Sequence, residues 1–194
     1  MAQGDPQALS SAVETWRSVE AISHPLIREV ACLWQAKRRG RLAPSRRDLD
    51  PDELRLYLPN IFMLDVVEPG MRFRVRLMGT GLVRATGRDN TGRFLDEVLP
   101  ASHYPGVREE LDDVVTRFVP RYAISSMAWQ RRSFARYHRL MVPLSDDEVR
   151  VNIVFGVLYM IVDEHGGIPI APLKAAIEVA PLLRARVLEA SRPG

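Results

Sequence analysis

Cysteine is scarce in this chain of 194 residues, which contains only Cys32, so an intramolecular disulfide is excluded. A lone thiol is typical of a reducing compartment and unlike secreted, disulfide-stabilised domains. The first residues, MAQGDPQ, contain neither a basic nor an apolar stretch, so no signal peptide is visible. The longest apolar run, residues 151–162, is shorter than the roughly 20 residues of a membrane-spanning helix. We therefore expect a cytoplasmic protein without a membrane segment.

Lysine is also scarce: Lys37 and Lys174 stand against 25 arginines, and the formal net charge is +3. Two explanations stay open, a coding bias toward arginine and bidentate recognition of phosphate or carboxylate groups. The densest basic cluster is the connector 37–47, which keeps nucleic-acid binding as an alternative function. Cations at a helix C-terminus are favourable in any case, and no helix-turn-helix pattern accompanies the cluster.

Motifs of catalysis and metal binding are missing. The four histidines show no metal-ligand spacing, so we predict no metal site. The glycine-rich segments 79–81 and 87–92 match neither the dinucleotide-binding fingerprint nor the P-loop. We interpret them as turns that need positive φ, in which Asp89 and Asn90 tolerate left-handed geometry. The sequence predicts no catalytic residue and a protein that is not an enzyme.

Apolar periodicity predicts several helices. The segment 25–39 begins with a proline suited to a first turn and places Ile27, Val30 and Trp34 on one face. A short helix is expected to follow Asp50, which can cap it. Residues 104–118 predict a longer helix whose acidic residues, Glu110 among them, face water. Weaker patterns predict further helices around residues 13–16, 82–85 and from 172 onward.

Strand patterns predict five strands, at residues 61–67, 72–78, 121–130, 134–143 and 150–162. Helices fall before the first strand, between the second and third, and after the last. This order predicts an α+β fold: a five-stranded antiparallel sheet with inserted short helices and with N-terminal and C-terminal flanking helices. We expect an N-terminal extension at 1–22, one domain at 23–165 that includes the leading helix, and a helical tail at 166–194.

Three segments carry a family resemblance: LAPSRRDLDPDELRLYLPNIFMLDV at 42–66, FRVRLMGTGL at 73–82 and GRDNTGRFLDEV at 87–98. Their order and spacing resemble the PAS domain, and more narrowly the bacterial family of small stand-alone PAS-like proteins with a leading helix. The resemblance covers about residues 33–143 and weakens after Phe118. It implies a five-stranded sheet that cradles short helices, and a role in signal transduction. PAS domains bind haem, flavins, small organic acids or nothing, so the cofactor is unknown.

Several large side chains lie on elements that would line the space between sheet and helices. A packed core and a small-molecule pocket both explain them. If a pocket exists, the predicted ligand-binding residues are Phe73, Val75, Tyr104, Trp129, Tyr137 and Phe155. His138 could likewise face a cavity or bind haem, or be structural. A photoactive flavin would need a cysteine beside the cavity, and Cys32 lies in the leading helix instead.

The leading hypothesis is a sensory regulator that acts through a small ligand, through protein contacts, or through both. A chain of this length has no room for an output enzyme, so we expect a partner signalling protein. The apolar face of the leading helix, with Ile27, Val30 and Trp34, is the expected homodimer contact, although the helix can also pack within its own chain. The alternatives are a ligand-free interaction module and nucleic-acid binding through residues 37–47.

Overall fold

The structure is a computed structural model that describes residues 19–68, 71–129 and 132–161, with side chains for all of these except 126–129, 132–136 and 161. The helices expected near residues 13–16 and after 172 lie outside the described residues. The helices are α1 (Pro25–Arg38), α2 (Thr80–Thr86), α3 (Leu95–Val98) and α4 (Tyr104–Arg117). The strands are β1 (Ile61–Val67), β2 (Arg72–Met78), β3 (Arg121–Trp129), β4 (Arg132–Leu144) and β5 (Ile153–Ile161).

The five strands form one antiparallel sheet in the order β2-β1-β5-β4-β3. Helices α2 to α4 connect β2 to β3 and pack on one face, here called the inner face, where Val107, Leu111 and Val114 of α4 meet β-strand side chains such as Met141. Helix α1 packs on the opposite, outer face, where the indole Nε1 of Trp34 donates to the carbonyl oxygen of Pro143 at 2.9 Å. The predicted α+β fold is confirmed.

Strand β1, predicted from an apolar run interrupted by Asp65, and strand β2, predicted from strict alternation, form with the predicted boundaries. Asp65 of β1 lies on the outer face, where Arg74 and Arg76 of β2 donate to its carboxylate at 3.1 and 3.0 Å. Strand β2 is an edge strand, and the segment 92–94 runs along its free side. The amide of Val75 donates to the carbonyl oxygen of Arg93 at 2.8 Å, and the amide of Gly92 donates to the carbonyl oxygen of Val75 at 2.7 Å.

Helix α1 uses its whole apolar face within its own chain. Ile27, Val30 and Trp34 are each no more than 1% exposed. The helix ends in left-handed geometry at Arg39 and Gly40, as the glycine predicted. Of the two arrangements that the sequence left open, packing within the chain is therefore the one present in this single-chain structure.

The connector before β1 differs from the prediction. Residues 51–57 form a series of turns that mixes two hydrogen-bond spacings, as in Leu54 N to Asp50 O and Arg55 N to Asp52 O. Asp50 still caps this segment, since its Oδ1 accepts from the amide of Asp52 at 2.9 Å. A capping box forms earlier, between Ser45 and Asp48.

The first glycine-rich segment is explained by close packing and not by positive φ. Gly79 has φ −62° and begins α2, and a Cβ at this position would lie 2.3 Å from the carbonyl oxygen of Leu58. A Cβ at Gly81 would lie 2.8 Å from the carbonyl oxygen of Pro59. In the second segment, Gly87 and Gly92 do have positive φ, as predicted. Asp89 and Asn90 do not, which corrects that part of the interpretation.

We expect Gly79→Ala to lower the free energy of unfolding by about 1–3 kcal/mol, because backbone carbonyls cannot move aside as a side chain can. Gly106→Ala in α4 is the matched control, since nothing lies within 4 Å of its Cβ position. Alanine there should be neutral or stabilise the protein by up to about 1 kcal/mol. Urea denaturation measures both, and equal effects would refute the close-packing explanation.

Candidate functional site

A cavity of about 150 Å³ lies between the inner face of the sheet and helices α2 to α4. It forms where the curved sheet and the short helices do not fill the space between them. Its apolar wall includes Phe62, Leu64, Val75, Leu82, Val107, Met141, Leu158 and Met160. Polar side chains that reach it come from Thr86, Asn90 and Arg139. An apolar enclosure with a few polar groups is typical of a small-molecule site.

The size of the cavity restricts what it can hold. An apolar cavity of about 150 Å³ engineered in another protein binds benzene, whereas pockets for drug-sized ligands span roughly 300–1,000 Å³. Haem and flavin are larger than benzene by several rings, and neither would lie wholly within this volume. The cavity suits a compact molecule of about one ring.

A buried ion pair forms part of the wall. Arg139 of β4 donates from Nη2 to Oε1 of Glu110 in α4 at 2.6 Å, and the two side chains are only 6% and 9% exposed. Arg139 Nε and Glu110 Oε2 are buried without a hydrogen-bond partner among the described residues. A buried polar atom without a partner carries its desolvation cost uncompensated. Arg139 lines the cavity and Glu110 does not, so of the two unpartnered atoms the donor belongs to the residue of the cavity wall.

A second polar contact lies along the same strand. Nε2 of His103, just before α4, is 2.9 Å from the hydroxyl of Tyr137. Burial, and next the positive charge of Arg139, lower the pKa of His103, while Glu110 acts in the opposite direction. The guanidinium carbon of Arg139 lies 5.8 Å from the centroid of the Tyr137 ring. The first turn of α4 and the middle of β4 are thus joined by polar contacts as well as by packing.

Four of the predicted ligand-binding residues lie on the inner side of the sheet or on α4. Val75 lines the cavity. Phe73 and Tyr137 are each 1% exposed in the packed core beside it, and Arg108 lies over the Phe73 ring. Tyr104 is half-buried at the start of α4. These three contribute packing around the cavity and are not part of its wall.

Phe155 lies on the wrong side of the sheet for the predicted role. It pairs with Met63 and Val142, which alternate with the cavity residues Leu64 and Met141, so it faces the outer side. Both faces of β5 are apolar because both are covered, and the pattern could not distinguish them. The side chain of Trp129, the sixth predicted residue, lies outside the described part of the structure.

Sequence reasoning missed Arg139 and misplaced Glu110, which is 7% exposed although it was expected to face water. A signal for both exists in the sequence. Arg139 is a charged residue in the middle of a strand covered on both faces, and such a charge needs a partner. Glu110 occupies the buried face of α4, between Val107 and Val114.

A polar cluster lies on the outer face beneath the start of α1. His24 is the N-cap of α1, and its Nδ1 accepts from the amide of Ile27 at 3.4 Å. Its ring stacks on Tyr159 at 4.5 Å and lies 5.2 Å from the ring of His138. Burial, and then His138, lower the pKa of His24 to about 4. His138 therefore faces α1 and not the cavity.

Cys32, the only cysteine of the chain, is exposed on α1. Because α1 covers the outer face, no thiol lies at the cavity, and a cysteinyl–flavin adduct there is excluded. Across the described residues, no three His, Cys, Asp or Glu side chains lie close enough together to hold a metal ion. The same part of the chain contains no helix with the length and hydropathy required to span a bilayer.

Most basic side chains of the connector 37–47 make contacts within the chain, and two of them form ion pairs. Lys37 pairs with Glu53 at 2.6 Å, and Arg41 with Asp48 at 2.7 Å. Two further guanidinium groups donate to backbone carbonyls, Arg38 to that of Arg41 and Arg46 to that of Leu49. Four of its six basic side chains thus stabilise the local fold.

Comparison with known proteins places this geometry in a family. The family model described as "PAS domain" matches residues 22–159. Among solved structures, the LOV domain of the blue-light photoreceptor Aureochrome1 is 14% identical, with 59% of this chain and 90% of that chain covered and a TM-score of 0.44. A Rhodobacter sphaeroides LOV protein is 9% identical over 58% of this chain and 67% of that chain, with a TM-score of 0.45. No curated protein matches. The family match covers most of the chain, and the chain belongs to the PAS domain family.

Proposed function

We propose that this PAS domain is a sensory regulator whose inner-face cavity binds a small molecule and passes the signal to a partner. The observation that carries the proposal is the partly open, mainly apolar space of about 150 Å³ with the buried Arg139 in its wall. Helices α2 to α4 and the central strands contribute to this wall together. A molecule that binds one arrangement of these elements better than another would shift their populations.

The cavity is tested with benzene as the probe. We expect benzene to raise the Tm of the wild-type protein by a few degrees, because binding to the folded state alone stabilises it. Leu158→Trp fills the cavity and should abolish this rise, whereas the volume-conserving Leu158→Met should keep it. Differential scanning calorimetry measures all three. An undiminished rise in the tryptophan variant would show that benzene binds elsewhere.

A ligand-free interaction module is the second candidate, and the small size of the cavity favours it. The volume lies below the range of typical ligand pockets. Denaturing the purified protein and analysing the released small molecules by mass spectrometry separates the two candidates. A reproducible stoichiometric compound supports sensing. Clean protein, together with no thermal shift from small molecules, supports the interaction role.

Partner contact is part of the proposal. A homodimer through Ile27, Val30 and Trp34 would require α1 to leave the sheet, because these side chains are buried within the chain. In the docked state a homodimer or a partner signalling protein would contact the exposed side of α1, with Arg28 and Gln35. Nucleic-acid binding through residues 37–47 is less well supported, since four of the six basic side chains there already hold the local fold through ion pairs or backbone carbonyls.

A further inference from the structure

A buried hydrogen-bond donor of Arg139 without a partner restricts the chemistry of the cavity's ligand. This inference rests on the proposed function. Arginine presents five N–H donors and no acceptor. Nη2 of Arg139 donates to the carboxylate of Glu110, and the buried Nε has no hydrogen-bond partner among the described residues. A ligand atom that accepts a hydrogen bond from Nε would remove an existing desolvation cost. It would gain more than a contact made at an already satisfied group.

The other polar side chains of the cavity are consistent with a single acceptor on the ligand. The hydroxyl of Thr86 already donates to backbone carbonyls, that of Arg88 at 2.8 Å among them. Asn90 is 7% exposed and lines the cavity, and its side-chain amide forms no hydrogen bond within the described chain. The rest of the wall is apolar. A ligand with several polar groups would therefore leave some of them unpaired against hydrocarbon.

The charge balance distinguishes a neutral acceptor from an anion. The positive charge of Arg139 is compensated by the carboxylate of Glu110 at 2.6 Å. A carboxylate ligand would bring a second negative charge into a buried site that holds one cation. Burying a charge without its own partner is costly. A neutral oxygen accepts from Nε without that cost.

We propose that the cavity selects a small, neutral, mostly apolar molecule of about one ring that carries one hydrogen-bond-accepting oxygen, as in a cyclic ketone, and that Arg139 is the specificity-determining residue. The apolar wall binds the hydrocarbon part. Nε of Arg139 is covered by protein atoms in the structure, so the guanidinium must turn toward the cavity for Nε, with the amide of Asn90, to bind the oxygen. The Glu110 carboxylate holds the guanidinium in place and excludes anions.

Three probes of similar size test the inference on the full chain: benzene, cyclohexanone and cyclobutanecarboxylate. By isothermal titration calorimetry we expect cyclohexanone to bind about tenfold more tightly than benzene, and the carboxylate more weakly than either. In Glu110→Leu/Arg139→Met, which removes the pair without leaving a lone charge, cyclohexanone should lose its advantage while benzene still binds.

The possible failures are separable. Benzene that binds as tightly as cyclohexanone to the wild-type protein, or a carboxylate that binds most tightly, overturns the ligand class and leaves the cavity function standing. A ketone preference that survives in the double variant overturns the role of Arg139. No binding of any probe, with Leu158→Trp indistinguishable from wild type, overturns the inference and the cavity function together.

Discussion

Arg139→Met is expected to lower the free energy of unfolding by about 3–5 kcal/mol, because it leaves the Glu110 carboxylate buried without its cation. The double variant Glu110→Leu/Arg139→Met should be close to wild type or more stable, because apolar side chains of similar size avoid the desolvation of both charges. The two single effects are therefore strongly non-additive. Urea denaturation of wild type, both single variants and the double variant measures the coupling.

The exposed pair Arg150–Asp147 supplies the control. Its side chains are 71% and 46% exposed, so Arg150→Met should change the free energy of unfolding by less than about 1 kcal/mol. A double variant as unstable as Arg139→Met, or a single variant no worse than the control, would contradict a buried pair.

Acidification from pH 7.5 to about 4 is expected to cost about 3 kcal/mol of stability through His24 alone. The pKa of His24 falls from 6.5 to about 4 in the folded protein, through burial and then His138. Between these two pH values the unfolded chain binds a proton that the folded chain rejects. Stability is therefore complete above about pH 7 and is lost as the pH falls toward 4. Protonation also removes the acceptor at Nδ1 that caps α1.

His24→Asn is the matched variant, because asparagine accepts the same amide proton at the N-cap and does not titrate. It should flatten most of the pH dependence of Tm between pH 7.5 and pH 4.5. The remaining pH dependence of Tm comes in part from His103, whose pKa is lowered chiefly by burial. The variant His103→Asn measures that contribution. Asp48 and Asp96 have pKa values below their ordinary range and so act only at lower pH. An unchanged slope in His24→Asn would refute the assignment.

The architecture was predictable because local patterns determine it. The alternation in β2 and the three- and four-residue spacing in α4 identify each element from a few neighbours along the chain. The turn segment 51–57 was missed because Asp50 caps a turn as readily as a helix.

The site was less predictable because it depends on which face of each strand is used. Strands β4 and β5 are covered on both faces, so Phe155 and Tyr137 look equivalent in sequence, although they lie on opposite sides of the sheet. The Glu110–Arg139 pair joins residues 29 positions apart and needs the register of β4 against α4. The cavity follows from the sum of all packing, which no single motif encodes.

The strip of chain at 92–94 bears on how this domain behaves in concentrated solution. The margin of a sheet, where backbone N–H and C=O groups are unpaired, is a template on which strands of other chains can extend the sheet. Natural domains cover or interrupt such margins and so avoid aggregation. Here one margin is already occupied through the backbone of Val75. Among the described strands, β3 forms the other margin. Within the described residues, strand addition by another polypeptide would therefore meet less obstruction at β3 than at β2.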